Sequence, residues 1–287
     1  MIVRLLAVAA ATALNIVCTG CGGAQPDAAD HPMTFNSPGD AAQEFAEAIR
    51  ADDRARLTAL LGPESAPLLN PGDTVQGGTE RRIFLQAYDS VRVLVPSGPD
   101  AYILEVGEAR WPLPLPIVND GGWKFDTRSG IRELVLRRVG RNELAVLGVL
   151  RGIVAAQHEY AAKFGNFATR LRSEPGKQDG LYWDAQAGEP ESPAGPLLAW
   201  AEAQGYTPSG PQPAPYRGYF YRRLQVADPA REFALMAYPA EYGASGIMTF
   251  VVNQTGAIHR KNLGVDTART VEGMRDYAPD DTWTLEP

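Results

Sequence analysis

Side chains able to do covalent or metal chemistry are sparse in this sequence. A zinc site needs several closely placed His, Cys or acidic ligands. The three histidines, His31, His158 and His259, are far apart, and both cysteines, Cys18 and Cys21, fall near the N-terminus. No pair of them has ligand spacing. Ser245 lies in "GASG", which is not the G-x-S-x-G elbow of a serine hydrolase and reads as a turn. His158 has no nucleophile beside it in sequence. There is no G-x-G-x-x-G and no phosphate loop, and "PGKQDG" lacks the required spacing. The expectation is therefore no metal, no cofactor and no catalytic constellation. Acids such as Asp179, Asp184, Glu189 and Glu241 leave a paired-carboxylate glycosidase open, but in an acidic protein such acids are mostly solvated surface.

Two clusters still draw attention. "PGKQDGLYWD" gathers Lys177, Asp179, Tyr182, Trp183 and Asp184 in a loop, and loops carrying aromatic and charged side chains often bind ligands. The alternative is that Tyr182 and Trp183 pin the loop to a core. "AYPAEYGASG" places Tyr238, Glu241 and Tyr242 between two strands, where a plain strand connection is the competing reading. Lys177, Asp179, Tyr182, Trp183, Glu241 and Tyr242 are the candidate binding residues.

These residues sit in a chain of 287 residues, long enough for two modest domains. The net charge of −7 speaks against a nucleic-acid partner, which selects for basic surfaces. Arg132, Arg137, Arg138 and Arg141 come close together and read as the solvated face of a helix. At the N-terminus, Arg4 precedes an apolar run from Leu5 to Leu14. The run is short for a membrane span and suits a signal segment. "CTGCGG" follows, with Thr19 and Gly20 directly before Cys21, as a lipoprotein signal peptidase requires, although Cys18 stands where Leu is usual. The expectation is a signal peptide over residues 1–20 and lipidation of Cys21. Membrane attachment through that lipid and no internal disulfide follow from it. Gly22 in the next position favours the outer membrane where the cell has one. Residues 21–36 read as a flexible tether.

Beyond the tether the pattern is α+β. Ser37 caps a helix with Pro38 at its first position and Ala42, Phe45, Ala46 and Ile49 on one stripe. Asp52 or Asp53 caps a second helix that Gly62 ends, and "TERRIFLQAYDSV" forms a third. Strands follow in "VRVLV", "AYILEVG", "PLPIVND" and "GWKFDT", with a hairpin turn at Asn119 to Gly122. A long helical stretch comes next, for which Gly140 is the expected break and Asn142 the cap of the second piece. Gly148 and Gly152 share a face of it, and close approach of another backbone is the expected compensation for their helix penalty. Leu147, Leu150, Val154, Ala161 and Phe164 form its apolar side. A variable loop, a short helix around "PLLAWAEAQG" and the strands "GYFYRRLQV", "EFALMAYP" and "GIMTFVVNQTGAIHRKNLG" complete the pattern.

The order over residues 38–126, helices and then a meander ending in "DGGWKFD", resembles the nuclear-transport-factor-like cone fold, in which a curved antiparallel sheet wraps around helices. The segment from residue 129 resembles a pilin or pseudopilin head, a long helix packed on an antiparallel sheet, without the apolar half that builds a filament. The expected organisation is a first domain over 37–128 and a second over 129–287. The blocks "FNSPGDAAQEFAEAIRADD", "WPLPLPIVNDGGWKFDT", "GRNELA", "SEPGKQDGLYW" and "YPAEYGASGIMTFVVNQTGAIHRKNLG" together resemble the bacterial family called domain of unknown function 2950. That resemblance implies export and supplies no activity. Three functional readings remain. The first is a non-catalytic envelope lipoprotein that binds or scaffolds an envelope protein partner. The second is a small-ligand binder with a first-domain pocket lined by Phe45, Ile49, Phe84, Tyr88, Trp111 and Trp123, side chains that more often pack a core. The third is an enzyme acting on cell-wall or glycan material through residues such as Asp179 or Glu241.

Overall fold

The computed structural model describes residues 32–185, 190–206 and 214–287. Cys18, Cys21, His31 and Glu189, with the expected signal peptide and most of the expected tether, lie outside the described residues. The architecture is α+β, with two antiparallel sheets, neither closed into a barrel.

The first unit opens on α1 (Pro38–Arg50), where the Ser37 hydroxyl accepts from the Asp40 N–H at 3.1 Å and so satisfies one of the free donors of the helix start. Asp53 caps α2 (Arg54–Leu61) in the same way, and Gly62 ends it. After a short α3 (Ala66–Leu69), α4 (Thr74–Ser90) begins five residues before the expected "TERR", because the Asp73 carboxylate caps it by accepting from the Gln76 N–H. The sheet follows: β1 (Arg92–Gly98), β2 (Ala101–Val106), β3 (Trp111–Pro112), β4 (Ile117–Asn119) and β5 (Trp123–Phe125). β3 and β4 both pair with the same edge of β2. They are two pieces of one path, interrupted where "PLPLP" sets prolines that cannot donate to a ladder. Leu60, Leu61, Leu104, Leu115 and Ile117 are almost completely buried between sheet and helices. Each contributes about 1.5–3 kcal/mol on leaving water. The end of the expected tether belongs to this unit, since Phe35 exchanges two backbone hydrogen bonds with Trp123.

α5 (Thr127–Phe164) is a single unbroken helix of 38 residues. The break expected at Gly140 is absent. Asn142 does not cap a helix start; its side chain is buried and reaches other elements. The conformational penalty of Gly140 is offset by buried side chains on either side of it, Val139 and Val146 among them. No neighbour lies within 4 Å of a Cβ built on Gly148, and Gly152 meets the Leu197 side chain, so neither glycine serves the backbone approach expected of them. Gly130 does: a Cβ there would fall 1.2 Å from the Pro114 carbonyl oxygen. The first turns of α5 thus sit directly on the proline-interrupted strand path, and Leu134 packs on the first core.

The second half of α5 covers the other sheet, formed by β6 (Tyr219–Leu224), β7 (Ala234–Pro239), β8 (Met248–Asn253), β9 (Ile258–Asn262) and β10 (Thr284–Leu285) in the order β10-β9-β8-β7-β6. Val146, Leu147 and Leu150 pack on Phe250, Val252 and Ile258 on one face. On the opposite face Met236 and Val251 pack on Val271 of α7 (Thr267–Gly273) and on Trp283. Both faces of β8 are covered, which is why its four inner residues are all buried instead of alternating. α6 (Gly195–Ala203) lies against α5 through Leu197 and Leu198.

Candidate functional site

A cleft of about 880 Å³, inside the ~300–1,000 Å³ range of small-molecule sites, opens among the described residues. Its walls come from α2, α3, α4, the strand path at Leu113 and Leu115, and the early turns of α5. Ala203, Gln204, Tyr206 and Arg217 of the second unit complete it. The interior is apolar: Leu57, Leu61, Leu113 and Leu115 are buried, and Phe84 stands edge-on to Phe45 at 5.5 Å between ring centres. Of the six pocket residues expected from sequence, Phe45, Ile49, Phe84 and Trp111 line the cleft. Tyr88 packs in the core beside Phe84, and Trp123 packs on Tyr102. Toward solvent, Ile83 and Trp111 are exposed.

The polar lining is dominated by arginine. Arg54, Arg81, Arg82, Arg137, Arg138, Arg141 and Arg217 are present, against two carboxylates, Asp52 and Glu80. Arg138 is only 4% exposed, which corrects the reading of the Arg132–Arg141 group as a wholly solvated face. Its guanidinium donates to the Pro67 and Leu68 carbonyls at 3.0 Å each and to Glu80 at 3.2 Å. It thereby holds α3 against α5. Arg141 donates to the other Glu80 oxygen at 2.8 Å, and Arg81 pairs with Asp52 at 3.2 Å. Both carboxylates of the cleft are therefore engaged by arginines.

A buried polar network closes the cleft where the two units meet. One Asp73 oxygen caps α4, and the other accepts from the Tyr206 hydroxyl at 2.8 Å and the Gly218 N–H at 2.9 Å. Gln76 donates to Asn142 Oδ1 at 2.7 Å, and Asn142 donates to the Ser245 carbonyl at 2.8 Å. Gln76 Oε1 is buried and has no partner among the described residues. Burial, reinforced by the bond to Asp73, holds the Tyr206 hydroxyl well above the usual tyrosine range. Two of the three non-glycine residues with positive φ, Asp52 (51°) and Arg217 (56°), lie on this cleft. Such conformations concentrate where the fold holds a side chain in a set direction.

None of the six candidate binding residues read from sequence lines the cleft. Trp183 is buried against Tyr160 and Phe164 and donates to the Pro190 carbonyl at 3.2 Å. The Tyr182 hydroxyl donates to Asp184 at 2.7 Å, and Arg172 stands over its ring. Asp184 is held below the usual carboxylate range by the Tyr182 hydroxyl and Arg172. Lys177 is exposed and paired with Glu174, and Asp179 accepts from the Glu174 N–H at 3.0 Å. These contacts tie the loop to itself and to α5. Glu241 and Tyr242 lie in a tight turn closed by Ser245, whose hydroxyl bonds the Glu241 backbone, and Tyr242 donates to Asn262 at 3.1 Å. That turn abuts Gly72, where an added Cβ would lie 3.1 Å from the Ala240 and Glu241 Cβ atoms.

Asp73, Gln76, Tyr206 and Arg217 were not legible as site residues. The one available signal was the Asp73-x-x-Gln76 spacing of a helix cap, and nothing local links it to Tyr206 or Gly218. The His158 ring bonds the Gln254 carbonyl at 2.8 Å. Among the described residues no three His, Cys, Asp or Glu side chains cluster as metal ligands, and no helix is long and apolar enough to cross a membrane.

The fold and cleft define a mixed α+β protein in which two units share one apolar, arginine-rimmed cavity. The sequence pattern of the family described as "Protein of unknown function (DUF2950)" matches residues 32–285, and the chain belongs to that family. No curated protein and no solved structure matches it.

Proposed function

We propose that this chain is a non-catalytic binding module of the bacterial cell envelope, anchored through a lipid on Cys21, that holds a small, largely apolar ligand in the cleft between its two units. The observation carrying this reading is the cleft itself, with a buried leucine and phenylalanine interior and a wall completed by Tyr206 and Arg217 from the second unit. The first unit, helices held by a bent sheet, is read as cone-like, and cone-like units commonly enclose pockets. The second, α5 on an antiparallel sheet, is read as a pilin-like head used as a globular module. A binding role suits a cavity whose two carboxylates are already paired with arginines.

A ligand that binds only the folded chain stabilises it by about 2.7 kcal/mol at a hundredfold excess over Kd. The test is thermal melting of the full chain against a panel of small apolar compounds, with Thr79→Trp to fill the cleft. A rise in Tm that Thr79→Trp abolishes supports the reading, whereas a panel without effect, or one acting equally on Thr79→Trp, contradicts it. Envelope anchoring is tested by fractionation, where Cys21→Ala moves the chain from membrane to soluble fraction.

A further inference from the structure

We infer that the ligand of this cleft is an anionic amphiphile, a single alkyl chain carrying a carboxylate or phosphate head; this rests on the reading of the cleft as a binding site. The whole chain has more acids than bases and a net charge of −7, yet seven arginines and two carboxylates face this one cavity. Three of the seven, Arg54, Arg82 and Arg217, form no ion pair among the described residues. Arg54 donates to the neutral Asn70 amide at 2.6 Å, and the Arg217 guanidinium lies over the Trp200 ring at 4.7 Å. Local positive charge raises the concentration of anions at the mouth and speeds their capture. Arginine is also the side chain whose planar fork matches carboxylate and phosphate oxygens.

The position of Arg217 is enforced. Its φ of 56° is unfavourable for a side chain with a Cβ, and the turn is locked because the next N–H, that of Gly218, is bound by buried Asp73. The Asp73 bond thus sets the backbone from which Arg217 extends, and its guanidinium lies over the Trp200 ring beside the cleft.

A small inorganic anion would satisfy the arginines and leave the leucine-lined volume unfilled. A neutral hydrocarbon would fill that volume and make no use of the three arginines at its mouth. A molecule with both parts engages the apolar interior and the arginine fork together. A free fatty acid and a monoacyl phospholipid present the same chemistry, and separate probes distinguish them.

The test uses the full chain carrying Cys21→Ala, so that no covalent lipid competes, and isothermal titration below micelle concentrations. The probes are dodecanoate, dodecyl phosphate, dodecanol, dodecyltrimethylammonium and inorganic phosphate, followed by a monoacyl glycerophosphate. The expected result is that dodecanoate and dodecyl phosphate bind at least tenfold more tightly than the other three. Arg54→Gln with Arg217→Gln, and independently Arg82→Gln, reduces that advantage severalfold, with melting curves confirming that each variant folds. Tighter binding of dodecanoate than of the glycerophosphate assigns the ligand to free fatty acids, and the reverse to phospholipids. Dodecanol or the trimethylammonium compound binding as tightly as dodecanoate, with Thr79→Trp blocking both, overturns the anionic assignment and leaves the cleft as a binding site. Inorganic phosphate binding as tightly as dodecyl phosphate overturns the amphiphile. Binding of no probe, or binding that Thr79→Trp leaves unchanged, removes the cleft reading and this inference with it.

Discussion

Asp73 shows how one side chain can serve local and global structure at once. Its first oxygen caps α4, and its second takes hydrogen bonds from Tyr206 and Gly218, which belong to the other unit. Ser37 performs only the first of these tasks. Ser37→Ala is therefore expected to cost about 1 kcal/mol. Asp73→Ala removes a cap and strands two donors, each worth about 1–3 kcal/mol when buried and unmet, so its expected cost is about 3 kcal/mol or more. Urea denaturation of both variants measures the difference; equal costs would show that the contacts between units carry no stability. Tyr206, Tyr219 and Tyr221 make a second residue-scale prediction. Burial keeps their hydroxyls neutral and raises all three above the usual value of about 10. The stability tied to these neutral forms is fully present below about pH 10 and is lost as pH rises through the higher folded values. Tyrosinate absorbance should thus rise in two steps, the later one coincident with loss of helical circular dichroism. A single step near pH 10, with helicity retained, would contradict it. At this scale the sequence disclosed what is local. Ser37 and Gly62 are helix ends as expected, and Asp53 is the one of Asp52 and Asp53 that caps, because the partner of a cap lies three or four residues away. The second oxygen of Asp73 was invisible because its partners lie far along the chain.

Among the elements, periodicity located nearly all strands and the helices around them, since each buries one regular face. The errors fall where a tertiary contact overrides a local preference. Gly140 and Asn142 looked like a helix end, yet α5 passes through both, with Asn142 held by Gln76 and Ser245. The "PLPIVND" run, expected as one strand, pairs only over β4, and its prolines separate that piece from β3 just before it. The closing residues cover the second face of the sheet through Val271 and Trp283, a long-range contact that no local pattern announces. An unbroken α5 predicts opposite signs for three glycine substitutions. Gly140→Ala and Gly148→Ala, with open space at the new Cβ, should each stabilise by about 0.5–1 kcal/mol. Gly152→Ala meets Leu197 at 2.9 Å and should gain nothing or lose stability. Denaturation midpoints decide this: no gain at Gly140 would contradict a helix that continues through it.

On the scale of the whole molecule, the cleft is a product of both units. Four of its residues could be proposed from sequence because aromatic and aliphatic side chains on α1, α4 and β3 had to face something. The arginines on its rim gave no such signal, because a charged side chain on a helix reads as solvated until its neighbours are known. Arg217 lies 163 positions from Arg54, and only the packing of α6 and β6 against α4 and α5 brings them to one mouth. The clusters that sequence favoured, around Trp183 and Glu241, are instead tied into the loop and the junction between units. The central claim is that the cleft holds a ligand. Native mass spectrometry of the full chain released gently from its own membranes, beside Thr79→Trp prepared identically, tests it most directly. A bound small-molecule mass is expected on the unaltered chain and not on Thr79→Trp. The same mass on both proteins, or none on either, would contradict it.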